Sequence, residues 1–435
     1  MSQKGLPALL KPRLPFFYGW IILVCVCCAG FARQGSAVAT LSIFVDPMTS
    51  EFGWSRTGMS AAVSLGGLLA ALTSPVLGPM LDRHGARAML CLSVLIMATC
   101  AAALSLTQSL LYFTIFFCIG RLTFAGPFDL GIYGAINNWF VRLRGVATSV
   151  STASLMLGLV CVPLLAQLTI VQDGWRTGWL AVGATVLIVG FIPNWLLMVR
   201  RPEDMGLKPD GAAAVAPGEK KEGDSSISEP EKQEPDFTRA EALRTPAFWL
   251  LSLYTALVYP VQAGVSLHQA PHLIERGIDP TQAALMISTF SLASGVSGVL
   301  FGLVARWFPV RLSLSISAIF SAAAPVGMIW LSNNLEGYAT ALIFGLGMGG
   351  VLTVLPIAWA DYFGRKSFGA IRGIALSIQV IAQASGPLIS GILYDATGDY
   401  ILSLTVFTGL AGTAVLAAML TGPPKAPIRT VGSSA

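Results

Sequence analysis

Twelve long apolar runs leave this chain few ways to fold. They lie at roughly 17 to 45, 56 to 80, 87 to 107, 109 to 138, 145 to 170, 175 to 199, 246 to 272, 281 to 305, 310 to 331, 337 to 362, 370 to 394 and 399 to 421. A helix needs roughly 20 apolar residues to cross a hydrocarbon layer about 30 Å thick, and only helices and closed barrels satisfy their backbone hydrogen bonds in lipid. The runs are continuous and rich in Leu, Ala and Gly, without the dyad alternation of a barrel strand, and so predict an all-α membrane protein with twelve transmembrane helices. Composition agrees: 11% of the residues are charged, against about 25% in an ordinary soluble domain. The first run follows a basic start, as a secretory signal would, but it exceeds a signal's apolar core and reads as a retained helix.

Residues 202 to 240 change abruptly to Pro, Gly, Ser, Glu and Lys, a composition that cannot bury a core and predicts a mobile tether. It separates six spans from six. The expected organisation is a cytoplasmic N-terminus at 1–16, an N-terminal six-helix bundle at 17–199, a cytoplasmic and largely disordered linker at 200–245, a C-terminal bundle at 246–421 and a cytoplasmic tail at 422–435. Landmarks repeat across the division. Pro47 and Pro271, Glu51 and Glu275, and Gly78 and Gly302 are each 224 apart, and Phe140 and Phe363 are 223 apart. Two pseudo-symmetric six-helix halves suit a site at their interface that is exposed alternately to either side.

Orientation follows from the basic residues. With the N-terminus inside, 22 of the 27 Lys and Arg fall in cytoplasmic segments, Arg372 among them at the mouth of the eleventh span. Both termini are therefore expected in the cytoplasm of a multi-pass protein of the cell (inner) membrane. The net charge of +5 reflects this bias and does not indicate nucleic acid. The seven cysteines all fall in the first five spans and imply no disulfide framework.

GPMLDRHGARAM, at 78 to 89, joins the second and third spans. Its glycines permit a tight helix reversal, and a carboxylate between arginines can latch to a neighbouring helix end. With Gly78, Asp82, Arg83, Gly85 and Arg87, the stretch resembles the G-x-x-x-D-R-x-G-x-R loop of the major facilitator superfamily. The resemblance implies a twelve-helix secondary transporter and gives these five residues a gating role. In the second half, GLVARWFPVR places Arg306 where the acid would stand, so its latch is expected to be weak or absent. A narrower resemblance, to bacterial carriers related to oxalate:formate antiporters and monocarboxylate transporters, rests on YGW at 18 to 20, NNWFVRLRG after the fourth span and EALRTPAFW before the seventh. Oxalate carriers hold their dianion with cations in the eighth and eleventh helices. Here Gly298 and Gln379 are placed at those positions, which speaks against oxalate itself.

Three patterns have plainer explanations. GLGMGG at 345 to 350 lies inside an apolar span and reads as close helix packing, not a dinucleotide loop. CVCC at 25 to 28 has no second pair to make a zinc site. His268, His272 and Glu275 share a helical face with ligand-like spacing, but Pro271 and the span's exit favour a cap or mouth.

Two arginines and one acid lie within apolar spans, where a charge costs roughly 2.5 to 3.5 kcal/mol at the helix centre and is a functional hypothesis by default. Arg33 and Arg121 fall near the midpoints of the first and fourth spans, and Asp129 lies eight residues beyond Arg121. Arg121 is a candidate anion clamp, or else pairs with backbone carbonyls or Asn. Asp129 is a candidate proton-coupling residue, or else bridges to Arg142 or Arg144. Arg33 either faces the cavity or snorkels outward. Gln34, Gln262, Gln379 and Gln383 are further candidates for the substrate site, and His268 for proton coupling. No P-loop, H-E-x-x-H or nucleophile constellation is found, so neither enzymatic activity nor a cofactor is expected. The expectation is a monomeric carrier of a small organic anion, most simply a carboxylate, coupled to protons or to a counter-anion and surrounded by membrane lipids. The alternatives are a drug or neutral-solute exporter and a non-transporting sensor of the same fold.

Overall fold

The structure, a computed structural model, describes residues 6–54, 56–211, 235–305 and 307–425. Among these, eleven helices are long and apolar enough to cross a membrane. One of them holds two spans, because the helix Arg56–Leu104 breaks at Gly85, whose φ of 82° favours glycine. The twelve expected spans are therefore all helical. The first runs through Gly19–Arg33, a short 3-10 turn at Gln34–Ser36, and Val38–Phe52. The fourth is also split, into Leu110–Ala125 and Pro127–Trp139. The fifth is Arg144–Asp173, and the sixth begins at Trp175–Thr185 and ends at Ile192–Leu197. In the second half the spans are Pro246–Glu275, Pro280–Val304, Val310–Trp330, Asn334–Phe363, Phe368–Thr397 and Ile401–Leu420.

The GLGMGG glycines lie in the tenth span as a packing strip. A Cβ on Gly345 or Gly349 would collide with backbone of the eighth span, and one on Gly347 with Ser317 and Ser321 of the ninth. Without side chains at these points the helices approach closely and gain dispersion contact, which is what drives association where lipid is as apolar as leucine.

The same device joins the two halves at the end that carries the linker. A Cβ on Gly78 of the second span would run into the Gly369 carbonyl of the eleventh, and Gly302 of the eighth meets Gly145 of the fifth in the same way. These contacts are related by the internal repeat, since 78 and 302 are 224 apart, as are 145 and 369. Ser149 Oγ donates to the Gly298 carbonyl at 3.0 Å, and Ser377 Oγ to the Ala71 carbonyl at 2.5 Å. The molecule is thus closed at its linker end.

Composition led to a disordered linker across 200–245, but both of its flanks are folded. Asp210 accepts from the backbone amides of Val141, Arg142 and Leu143 at 3.0, 2.6 and 3.2 Å. Thr238 and Glu241 form a capping box on Arg239–Leu243, and Phe237 is buried with its ring 5.6 Å from that of Phe363. Local capping and one aromatic anchor suffice to order segments that average composition reads as tether. Residues 212–234 lie outside the described residues.

Candidate functional site

The breaks in the first and fourth spans create the polar centre. A helix end leaves its last carbonyls without intrahelical donors. Phe124, in the last turn before Gly126 and Pro127, offers its carbonyl to Arg33 Nε at 2.9 Å. Ser36, which ends the 3-10 turn, offers its carbonyl to Arg121 Nη1 at 3.4 Å. The two guanidiniums also share one aromatic ring, Arg33 Cζ lying 4.5 Å and Arg121 Cζ 4.2 Å from the Phe124 centroid. Such cation–π contacts partly replace the water lost on burial. Arg33 therefore points inward and does not snorkel. Arg121 holds a backbone carbonyl weakly and retains a buried Nε with no hydrogen-bond partner.

Asp129 follows the break by one turn and is buried. It does not bridge to Arg142 or Arg144. Its Oδ1 lies 3.6 Å from Arg33 Nη1, and its Oδ2 lies 3.3 Å from Nη2 of Arg372 in the eleventh span. From the sequence Arg372 reads as a cytoplasmic cation at the mouth of the eleventh span. In the structure its side chain is 1% exposed. The helix that carries it starts at Phe368, so Arg372 lies in the first turn and a half, where hydropathy sees only a basic flank. Gln379 accepts from Arg372 Nη2 at 2.7 Å, while Nε and Nη1 have no hydrogen-bond partner. Tyr133 and Tyr259 are buried within electrostatic range of Asp129, Arg33 and Arg372. Among the described residues the cluster thus holds three guanidiniums and one carboxylate, drawn from both halves.

The other candidates are placed less centrally. Gln383 donates to Gln262 at 3.1 Å and links the eleventh span to the seventh. Gln34 is buried, with its amide directed to the Gly30 carbonyl of its own helix at 3.5 Å. His268 meets Tyr400 Oη at 3.3 Å in a small pocket inside the C-terminal bundle, which Gln269, Ser390 and Ser403 also line. His272 goes to the Met328 carbonyl and Glu275 to Tyr394, so the three ligand-spaced residues take three separate partners.

At the linker end Asp82 caps the eleventh span. Its two carboxylate oxygens accept from the amides of Gly369 and Ala370, each at 2.8 Å. The contact is with a neighbouring helix end, and it reaches across to the other half. Arg83 is exposed, and Arg87 donates to the Trp195 carbonyl at 2.6 Å. The cation that touches the Asp82 backbone is Arg200, through its carbonyl at 2.6 Å, and the same side chain packs where Gly85 leaves room. Two further ties were not legible in the sequence. Arg144 pairs with Asp361, and Arg365 reaches the Asn138 carbonyl at 3.1 Å and Glu203 at 2.5 Å. Asn138 and Asp361 end the fourth and tenth spans, so each half is held by a cation from the other. Arg306 lies outside the described residues.

Comparison with known proteins matches this architecture. The Major Facilitator Superfamily is matched over residues 22–271 and 262–434. Monocarboxylate transporter 2 of Rattus norvegicus is 23% identical over 401 residues, covering 88% of this chain and 78% of that protein. The agnestins efflux protein AgnL12 of Paecilomyces divaricatus is 23% identical over 342 residues, covering 77% and 70%. The crystal structure of the human organic anion transporter MFSD10 superposes with a TM-score of 0.68 at 16% identity, covering 91% of this chain and 99% of that one. Twelve helices in two repeat-related halves, a latch between them and a family match along nearly the whole length describe a multi-pass transporter and not an enzyme: the chain belongs to the Major Facilitator Superfamily.

Proposed function

We propose that this protein carries a small organic anion, a carboxylate, across the membrane by alternating access. The observation that supports this is the imbalance of the buried centre, where, among the described residues, Arg33 and Arg372 share the carboxylate of Asp129 while Arg121, over the same ring as Arg33, has no carboxylate partner. Uncompensated buried charge is strongly unfavourable. A substrate carboxylate relieves it by accepting two parallel, charge-assisted hydrogen bonds from a guanidinium. Arg33 and Arg121 belong to one half and Arg372 and Gln379 to the other, so a ligand among them senses both. Gln262 and Gln383 supply neutral donors nearby, Gln34 shapes the first helix break, and Asp129 is the proton-coupling carboxylate. His268, in its separate pocket, has no part in this path. Gly78, Asp82, Arg83, Gly85 and Arg87 form the gate loop. Similarity to a monocarboxylate transporter favours the same substrate class.

The test is thermal stabilisation of the purified protein by formate, acetate, lactate, pyruvate and oxalate, with neutral sugars and cationic drugs as the contrasting set. A ligand at 100 times its Kd adds about 2.7 kcal/mol to stability. Stabilisation by at least one acid and by none of the contrasting compounds is expected. The reverse pattern would identify the neutral-solute or drug exporter, and an acid that stabilises without crossing proteoliposomes would identify a sensor.

The distribution of basic residues supports a cytoplasmic linker and cytoplasmic termini, so the closed end faces the cytoplasm. Protease added to inside-out vesicles is expected to cut within 202–240, and protease added to intact cells is not. Cleavage in intact cells would invert the orientation.

A further inference from the structure

Asp129 divides its two oxygens between a cation of each half, Arg33 in the first span and Arg372 in the eleventh. This is the geometry a substrate carboxylate would adopt. Both pairs are loose: 3.6 and 3.3 Å exceed the roughly 2.7–2.9 Å of a tight charge-assisted bond. Both cations are also engaged elsewhere, Arg33 through Nε with the Phe124 carbonyl at 2.9 Å and Arg372 through Nη2 with Gln379 at 2.7 Å. We propose that Asp129 is an internal counter-anion that the substrate displaces from Arg33 and Arg372, and that loss of the Arg372 pair releases the tie between the fourth and eleventh spans. The proposal rests on the anion-carrier function above.

Three further observations support it. Arg33 and Arg121 share the Phe124 ring, so an anion drawn to the partnerless Nε of Arg121 arrives beside the guanidinium that Asp129 occupies. Arg372 lies two residues beyond Ala370, whose amide Asp82 caps, so loosening Arg372 acts on the helix start that closes the linker end. Without either anion, Arg33 and Arg372 would lose their carboxylate and keep only neutral partners, the Phe124 carbonyl and Gln379, near Tyr133 and Tyr259. The empty carrier therefore reorients with Asp129 seated, and the loaded carrier with the substrate in its place. A ligand shifts such an equilibrium only through its different affinity for the two states, and competition for Arg33 supplies that difference.

Removing the competitor tightens binding. In Asp129→Asn, at least one of formate, acetate, lactate, pyruvate and oxalate is expected to bind about tenfold more tightly per folded molecule than in the wild type. Net efflux into acid-free buffer is expected to fall at least tenfold relative to exchange, because the empty carrier returns poorly. Arg372→Gln leaves Asp129 wholly to Arg33 and is expected to weaken binding at least threefold, and the double variant Arg372→Gln/Asp129→Asn is expected to recover wild-type affinity or better. The double variant removes one charge of each sign and so serves as the folded test if Asp129→Asn does not accumulate. Unchanged or weaker affinity in Asp129→Asn, or no recovery in the double variant, overturns the counter-anion while leaving the carrier function standing. Absence of acid binding in every variant and in the wild type overturns both.

Discussion

Arg121→Gln is expected to weaken carboxylate binding about 100-fold, and Arg121→Lys only several-fold. Each hydrogen bond to a charged group contributes about 1.5–3 kcal/mol, and every 1.4 kcal/mol is tenfold in affinity. Gln loses the charge and the paired donors. Lys keeps the charge but loses the planar fork. The structure favours a large effect because Arg121 spends little of its bonding capacity on the protein: one long contact to the Ser36 carbonyl, a ring face and a partnerless Nε. Arg33→Gln is expected to produce a smaller or similar loss, since Arg33 already serves Phe124 and Asp129. Titration calorimetry on the folded fraction decides. If Arg121 served only to hold the first helix break, both substitutions would lower the melting temperature while the surviving protein bound normally, and normal affinity in Arg121→Gln would remove it from the site.

Asp82→Asn is expected to move the population about 10- to 30-fold away from the state closed at the linker end. Asp82 receives two amide hydrogen bonds from the start of the eleventh span, where the helix dipole favours negative charge. Asn keeps the shape but not the charge, and has one oxygen to offer in place of two. The loss falls on contacts that exist only while the halves are closed, so it appears as a changed conformational equilibrium with membrane insertion intact. Distances between spin labels at His84 and Lys366 report it directly, and transport should fall with them. Arg306→Ala, at the repeat-related position, is expected to be comparatively mild. Equal losses in the two variants would argue against a gate whose halves differ.

The helical spans, their grouping into two halves and the contact of Asp82 with a neighbouring helix end were legible in the sequence, because each follows from a one-dimensional property. Apolar run length sets a transmembrane helix, an abrupt change of composition marks a linker, and a carboxylate beside a glycine turn suits a helix end. The centre of the site was legible only in part. Arg33, Arg121 and Asp129 announced themselves as charges inside apolar runs. Their partners did not, since partnership depends on which way each helix faces and where it breaks. Asp129 has Arg142 and Arg144 within one loop of it in sequence, yet it pairs with residues 96 and 243 positions away.

Sequence alone determined that this chain is a twelve-helix membrane protein in two related halves, because lipid permits no other use of runs so long and so apolar. It also determined that charges would be buried near the middle. Tertiary structure alone decided that Arg372 belongs with them. A basic residue 4 positions into a helix looks like a loop flank to hydropathy. Only the close approach of the second and eleventh spans, through Gly78 and Gly369, covers that end of the helix and turns a flank into a buried cation. Charge position along the chain is a property of the sequence, but desolvation and pairing are properties of the packed interface, and those set what the cation can bind.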